Sequence, residues 1–307
     1  MIIFEEATKR LPSFLLDKLV KDYGQDITKK IIQGYCVNRK VSFRVNTLKT
    51  DIQTIQNELD KSGIEYEKVT WSDTAYILKN VQEKQIQSME IYEKGEIYLQ
   101  SLSSMLPPII LNPMEGADIL DMTAAPGGKT TQMASLTNNK ANITACELDH
   151  IRAERLKFNL EKQGASSVYV MVKDARKIDN FFSFDQILLD SPCSGSGVLD
   201  LTDDRIESKF TLNLIDKCKK NQLELLKKAV KILKSGKEMV YSTCSILKEE
   251  NEEIIHKILK ENTVEIVPIE FKGIEELPLL PTNIEGTICV CPNEYYEGFY
   301  IAKLRKK

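Results

Sequence analysis

No apolar run in this 307-residue sequence approaches the ~20 residues that a membrane-spanning helix needs; the longest, such as residues 105–111, stop far short. No secretory leader is in view, because Met1, Ile2, Ile3 and Phe4 run straight into Glu5 and Glu6 without a basic or extended apolar region. Charge of one sign is also lacking. With 42 basic and 45 acidic residues the net charge is −3, which excludes a polybasic protein that coats nucleic acid by bulk charge. Histidine is scarce: His150 and His256 stand apart and read as helix-surface residues. No C-x-x-C pair accompanies them, and Cys289 and Cys291 would supply two ligands at most, so no metal site is expected. The seven cysteines are odd in number and scattered, which predicts free thiols in a reducing, cytoplasmic setting. Internal repeats and low-complexity segments are absent.

What is present is the ordinary balance of a globular protein, 42% hydrophobic and 28% charged, long enough to bury a substantial core. Its length suits one large domain with an appendage. Residues 1–50 carry ten Lys/Arg against five Asp/Glu, and residues 51–100 reverse that ratio. The amino end therefore holds the local positive excess, with Arg39, Lys40 and Arg44 inside it; a solvated helical face explains such a bias as well as RNA does. Residues 5–33 have helical apolar spacing, 41–45 alternate like a strand, and 51–61 read as a helix closed by Gly63. Residues 64–69 and 75–78 are strand candidates, and Pro107-Pro108 is where this small α+β unit is expected to end. From residue 117 onward the pattern becomes strand, turn, helix, repeated. Strands are expected at 117–122, 142–148, 168–172, 184–189 and 238–242, with helices at 129–136, 151–163, 209–233 and 248–259 between them. That alternation predicts a parallel sheet covered on both faces. Three late strands, 265–269, 287–290 and 299–304, predict an antiparallel edge.

Three motifs sit at the ends of predicted strands. The first runs through Asp121 to Thr123, Ala124, Ala125, Pro126, Gly127, Gly128 and Lys129, between a strand and a helix. Its glycines let the backbone turn and approach a ligand, and the helix start presents free N–H groups. Glu147 follows at the next strand's end, where a carboxylate can accept both hydroxyls of a ribose. The loop matches neither the phosphate-loop pattern nor G-x-G-x-x-G, which leaves an adenosine-containing cofactor without a diphosphate. The second motif is Asp190-Ser-Pro-Cys193 followed by Gly195 and Gly197; its competing reading is a structural cysteine in a tight turn. The third is Tyr241-Ser-Thr-Cys244-Ser245, where a helix expected from Lys248 would favour the thiolate through its dipole.

Two cysteines, an acid and an adenosyl cofactor meet in the methylation of cytosine at C5. C5 is too poor a nucleophile to take a methyl group unaided. A thiolate that adds to C6, with an acid protonating N3, turns the ring into an enamine-like nucleophile. C5 can then take the methyl group of S-adenosylmethionine, after which the C5 proton is lost and the thiol expelled.

As a set these motifs resemble the RsmB/Nop2/NSUN family of RNA cytosine-C5 methyltransferases, of an RsmF-like kind, over nearly the whole chain. Phe43-Arg-Val-Asn-Thr-Leu48 resembles the family's R-V-N-T signature, and residues 95–100 resemble the lead into its catalytic domain. Residues 123–129 match its cofactor loop, 190–193 and 242–245 its two cysteine motifs, and Glu297-Gly-Phe-Tyr-Ile-Ala302 its closing strand. Gln222-Leu-Glu-Leu-Leu226 and Glu250-Asn-Glu-Glu253 also match.

The resemblance implies a Rossmann-like class I methyltransferase domain over residues 107–307 and a small α+β RNA-binding domain over 1–106. It makes Cys244 the nucleophile, Cys193 the thiol needed for product release, and Asp190 the acid beside base and cofactor. It places S-adenosylmethionine on residues 123–129, Glu147, Arg152, Asp174 and Asp190, and structured RNA on Arg39, Lys40 and Arg44. The protein is expected to be monomeric, with no metal and no membrane partner. Ribosomal RNA is favoured over tRNA by family analogy; a non-catalytic ribosome-assembly factor is the other class. A DNA cytosine methyltransferase would use Cys193 as nucleophile and leave Cys244 without a role. An amino-methylating enzyme lacks its Pro-Pro-aromatic motif here. Departures from the family pattern are Thr123, the 235–238 turn and the acidic segment 199–205.

Overall fold

The computed structural model describes residues 8–201 and 210–307. Predicted features that fall on 1–7 and 202–209, including most of the acidic 199–205 segment, lie outside the described residues.

The amino-terminal helix α1 spans Ser13–Tyr35 and breaks at Gly24, whose φ of 76° and ψ of 170° leave the helical region. A small antiparallel sheet follows, formed by β1 (Ser42–Val45), β2 (Tyr66–Lys68), β3 (Ala75–Leu78) and β4 (Ile97–Leu99) in the order β2-β3-β1-β4. Helix α2 (Ile52–Lys61), capped by the Asp51 carboxylate on Thr54 N, and the short helices α3 (Glu83–Gln87) and α4 (Glu90–Glu93) complete this layer. Next comes α5 (Leu102–Leu111), which contains both Pro107 and Pro108.

The large sheet begins at β5 (Asp118–Asp121) and continues through α6 (Gly128–Leu136), β6 (Asn142–Glu147), α7 (His150–Gln163), β7 (Val168–Val172) and β8 (Phe184–Asp190). After α8 (Leu212–Ile232) come β9 (Leu233–Thr243) and α9 (Glu252–Leu259). The antiparallel edge consists of β10 (Val264–Ile266), β11 (Leu279–Leu280), β12 (Ile288–Val290) and β13 (Phe299–Lys306). Strand order is β11-β12-β13-β9-β8-β5-β6-β7, with β10 beside β13. Strands β5 to β9 are mutually parallel, and order reverses between β5 and β8. In open α/β sheets a ligand crevice lies at such a reversal, outside the strands' carboxyl ends. The predicted architecture, parallel sheet plus antiparallel edge, is the one observed.

Alternation along each strand divides the core. Leu120, Ile187, Leu189, Met239, Tyr241, Tyr300 and Ala302 pack on one face, with α8, α9 and also α1. Ile119, Ile143, Leu188, Val240, Phe299 and Ile301 pack on the other, with α5, α6 and α7. Fully buried Leu15, Leu19 and Ile31 pack α1 into the core of the large sheet, although it falls within the amino-terminal unit expected over residues 1–106. Tyr23 Oη donates to Ile246 O and Tyr35 Oη to Ser196 O, both at 2.5 Å, which fixes α1 to the second and third motifs. The expected boundary at Pro107 falls inside a continuous helix. Pro108 cannot donate to the carbonyl of Ser104; Gln100 Nε2 donates to that carbonyl at 3.1 Å instead.

Arg44 does not occupy the RNA-facing position expected of it. It is 2% exposed, on β1, and its guanidinium points into the seam between the two sheets. Nε donates to Gln100 Oε1 at 2.9 Å; Nη2 donates to Thr131 Oγ1 at 2.6 Å and to Gly128 O at 3.1 Å. The Tyr98 ring lies 4.9 Å from the guanidinium carbon. Burial lowers its pKa to about 10, which leaves it charged at neutral pH. Strand alternation put Arg44 on the polar face of β1, but that face is covered by α6. We expect Arg44→Met to lose about 3 kcal/mol of stability in urea unfolding, because a charged donor set and its acceptors are broken together. The salt dependence of RNA binding should not change; a slope reduced by about 0.7 would return Arg44 to the RNA surface.

Candidate active site

The loop after β5 turns at Gly127, whose φ is 108° and where a Cβ would meet Leu156 Cδ1 at 2.9 Å. Only glycine fits both the backbone conformation and the close approach of α7. Arg152 Nη2 donates to Ala125 O at 2.9 Å and Asn159 Nδ2 to Pro126 O at 2.8 Å, so α7 straps the loop from one side. Arg44 braces it from the other.

Two cavities meet at Thr123. The first, of about 340 Å³, is lined by Thr123, Ala124, Ala125, Pro126, Gly128 and Lys129, and by Asp190, Cys244 and Phe299 across the crevice. The second, of about 180 Å³, is lined by Thr123, Glu147, Asp149, Arg152, Asp174 and Arg176. Gly127 shapes the loop without lining either.

Glu147 closes β6 with a carboxylate only 4% exposed. Oε1 accepts from Asp149 N at 3.0 Å, and Oε2 lies 3.6 Å from Arg152 Nη2. A carboxylate offers about four acceptor positions, so lone pairs stay free for a diol. Asp174 is more heavily engaged: it caps a short turn and takes Arg176 in a bidentate pair, Nη2 to Oδ2 at 2.8 Å. Those bonds to Arg176 hold its carboxyl below the ordinary range. A buried acid, a glycine turn and the free N–H groups of α6 suit an adenosyl group. Glu147 would hold its ribose, with Asp174 at the adenine end.

Asp190 ends β8 in the first cavity. Oδ2 pairs with Lys129 Nζ at 2.7 Å and Oδ1 accepts from Ser242 Oγ at 2.8 Å. Thr123 Oγ1 donates to the Asp190 carbonyl at 2.7 Å. Lys129 also donates to Ser104 Oγ at 2.8 Å, and its ammonium lies 5.4 Å from the centre of the Phe299 ring. Burial works against the Lys129 charge; Asp190, then Asp121 and Cys244, more than offset it and raise its pKa. Lys129 thus reaches across the crevice from its loop to Ser104, Phe299 and Asp190. Tyr98, Ser101 and Glu297, which also line this cavity, were not singled out in the sequence. They lie far apart along the chain and carry no local pattern.

The two motif cysteines meet, with Sγ atoms 3.1 Å apart. Gly197 N donates to Cys244 O at 3.0 Å, and Gly298 N to Gly197 O at 2.8 Å. A Cβ on Gly197 would stand 2.0 Å from Gly298 O, so the second motif's last glycine is needed for this approach. Cys193 is held well above the usual thiol range, first by its hydrogen bond with Cys244, then by burial. The helix expected from Lys248 begins only at Glu252, with Asn251 as its cap, and Asn251 Nδ2 donates to Ser245 O at 2.8 Å. Lys129 is the cation that faces Cys244. All seven cysteines are free. Among the described residues no cluster of His, Cys, Asp or Glu is placed to hold a metal, and no helix is long and apolar enough to cross a membrane.

Arg39 is half-buried and Lys40 exposed. Both line a cavity of about 310 Å³ that shares Leu99, Gln100, Ser101 and Glu297 with the first. Arg39 Nε is buried with no hydrogen-bond partner.

A glycine loop, a ribose-ready acid and a cavity at the sheet's reversal are the marks of the S-adenosylmethionine-dependent methyltransferases. Within that class the chain belongs to the family described as 16S rRNA methyltransferase RsmB/F, whose model matches residues 108–305. A second model, the RsmF/B-like ferredoxin-like domain, matches residues 11–83. The probable ribosomal RNA small subunit methyltransferase B of Bacillus subtilis is 30% identical, over 99% of this chain and 69% of its own length. The ribosomal RNA small subunit methyltransferase F of Shewanella loihica is 33% identical over 95% of this chain and 62% of its own. The human 28S rRNA (cytosine(4447)-C(5))-methyltransferase is also 33% identical, but this chain spans 37% of it. A methyltransferase homolog of Pyrococcus horikoshii superposes with a TM-score of 0.81 at 32% identity, covering 97% of this chain and all of that one.

Asp121, 1% exposed, accepts from Thr130 Oγ1 at 2.7 Å on the floor of the first cavity. Burial raises its carboxyl to about 6, with Asp190 adding to the rise and the Thr130 bond opposing it. The folded state therefore keeps a proton that the unfolded chain loses near 3.8. This contribution to stability falls as pH climbs through that interval and is flat above it, at a cost of about 3 kcal/mol. Asparagine can still accept from Thr130. Urea unfolding should show Asp121→Asn more stable than wild type at about pH 8, by up to about 3 kcal/mol, with the gain shrinking at about pH 5.

Proposed function

We propose that this protein methylates C5 of a cytosine in structured RNA, with Cys244 as nucleophile and S-adenosylmethionine as methyl donor. The observation that carries the reading is the pair of thiols 3.1 Å apart beside the Lys129–Asp190 pair, over a cavity that opens onto the cofactor loop. Ribosomal RNA is the substrate class proposed, in line with the names of the Bacillus, Shewanella and human relatives. Which RNA and which cytosine is a property of the docking surface, to which Arg39 and Lys40 contribute.

Cys244 lines the cavity and Cys193 does not, which favours Cys244 for the attack on C6. As the S–C6 bond forms, charge moves onto the pyrimidine, and the Lys129–Asp190 pair, joined at 2.7 Å, would supply a proton at N3. When bound, the cofactor's sulfonium provides an electrophilic methyl group to C5. Once Cys244 is a thioether it no longer hydrogen-bonds to Cys193 as a thiol or carries charge. The main cause of the raised Cys193 pKa is then gone. Cys193 can act as base toward the C5 proton while the Cys244–C6 bond breaks. The target base must leave its stack to reach this cavity, as in other base-modifying enzymes.

With labelled cofactor and RNA, Cys244→Ala should transfer no methyl group. Cys193→Ala should trap a denaturant-stable protein–RNA adduct. An adduct trapped by Cys244→Ala instead overturns the assignment. In a separate binding titration against salt, Lys40→Gln should lower the slope by about 0.7, the value for one phosphate contact on a single strand. An unchanged slope would remove Lys40 from the RNA surface.

A further inference from the structure

Glu250 stands in the turn between the third motif and α9, and it is fully buried. Four donors converge on its carboxyl group. Oε1 accepts from Ser194 N at 2.8 Å and Gln222 Nε2 at 3.1 Å; Oε2 accepts from Ser194 Oγ at 2.5 Å and Ser245 Oγ at 2.7 Å. Among the described residues no Lys or Arg pairs with it. A buried acid without a cation is held by neutral donors alone, and such an arrangement persists only where every lone pair is used.

The donors are not random neighbours. Ser194 follows Cys193, Ser245 follows Cys244, and Gln222 also donates to Pro192 O at 3.1 Å. One carboxyl group therefore grips the residue next to each thiol and the helix behind them. Its own backbone is pinned: Tyr241 Oη donates to the Glu250 carbonyl at 2.7 Å, and Glu250 N donates to Leu247 O at 3.1 Å. The grip extends through Ser245 Oγ to Ser196 Oγ at 2.8 Å, and Ser196 Oγ accepts from Ile246 N at 3.0 Å.

We propose that Glu250 is a positioning residue: it sets the separation of the two thiols, so that Cys193 reaches the ring carbon beside the one bonded to Cys244 when product is released. The proposal rests on the roles given above to the two cysteines. A carboxylate suits the task because it accepts at both oxygens. In a glutamine the amide nitrogen must face two of the four donors. Ser245 Oγ, already accepting from Leu247 N at 3.1 Å, has little room to reverse its bond. The negative charge of Glu250 also acts on Cys193 and adds to the effects that keep it a thiol.

Single-turnover methylation of RNA by the full chain tests this, comparing wild type, Glu250→Gln and Cys193→Ala. The methyl-transfer step of Glu250→Gln should change little. Its release should slow by roughly 100-fold, the effect of misplacing a reacting group by about 1 Å, so that a covalent adduct accumulates as in Cys193→Ala. A trivalent arsenical that chelates paired thiols should bind wild type and lose that binding in Glu250→Gln, with Cys244→Ala as the control. An equal slowing of transfer and release, or arsenical binding that stays intact, overturns the proposal in favour of a purely structural role. If Cys193→Ala itself traps nothing, the cysteine assignment fails, and arsenical binding still reports whether Glu250 sets the spacing. Should Glu250→Gln not fold, Ser194→Ala and Ser245→Ala each remove part of the grip and are read the same way.

Discussion

A buried guanidinium helps join the two sheets of this protein, and the turn that opens α6 at the crevice rests on it. Arg44 leaves β1 of the small sheet and ends on the first turn of α6, where it donates to Gly128 O and Thr131 Oγ1. Burying such a group is costly unless its donors are used. Three acceptors on Nε and Nη2 and the face of Tyr98 supply part of the compensation, while Nη1 is buried without a hydrogen-bond partner. Gln100, the partner of Arg44 Nε, also donates to Gln132 Oε1 at 3.1 Å and to the carbonyl that Pro108 leaves unserved. The fixed small sheet thereby also fixes Arg39 and Lys40, which precede β1 by a few residues.

Charge in the crevice is divided between two different solutions. In front, Lys129 and Asp190 form an ion pair that lines the cavity. Behind, Glu250 is buried and held by hydroxyl, amide and backbone donors, with no Lys or Arg paired to it among the described residues. The first arrangement can respond to a substrate. The second resists change, which suits a group that must hold two loops in register. Asp121 lines the same cavity as the ion pair, and burial raises its carboxyl to about 6.

Much of this was legible in the sequence. Strand β7 and strand β3 have the bounds that apolar patterning predicted, and the other parallel strands differ by a residue or two except β9, which starts earlier. All three motifs lie at strand ends as expected, because a strand's carboxyl end followed by Gly or Pro leaves a strong local signature. The losses have physical causes. Helix α5 was read as a boundary because two adjacent prolines break helices in isolation; the substitute donor is the side chain of Gln100, four residues before Ser104, and nothing in the sequence marks its amide as aimed back at that carbonyl. Arg44 was counted with the surface charges because composition cannot distinguish a charge facing water from one facing a second domain. Helix α9 starts after a turn of residues 248–251 that the acidic, helix-favouring sequence did not disclose. The role of Glu250 is a matter of contacts made across 28 and 56 residues, and no local pattern carries those.

The division into an RNA-binding unit and a catalytic unit is weaker in three dimensions than in sequence. Helix α1 belongs to the core under the large sheet, and its Tyr35 hydroxyl donates to the carbonyl of Ser196 in the Cys193 loop. Leu99, Gln100, Ser101 and Glu297 line both the cavity beside Cys244 and the one beside Arg39 and Lys40. Ser101 Oγ donates to Glu297 Oε2 at 2.6 Å, which stitches the end of β4 to the start of β13 between the two cavities. A displacement of the small sheet would therefore alter the reaction cavity directly, through shared walls, and the cofactor loop through Arg44. The cavity beside Arg39 and Lys40 and the one beside Cys244 thus share a wall of Leu99, Gln100, Ser101 and Glu297. On the function proposed above, a chain with a net charge of −3 would engage a polyanion through a few local positive groups such as Arg39 and Lys40, beside the shared wall of the two cavities.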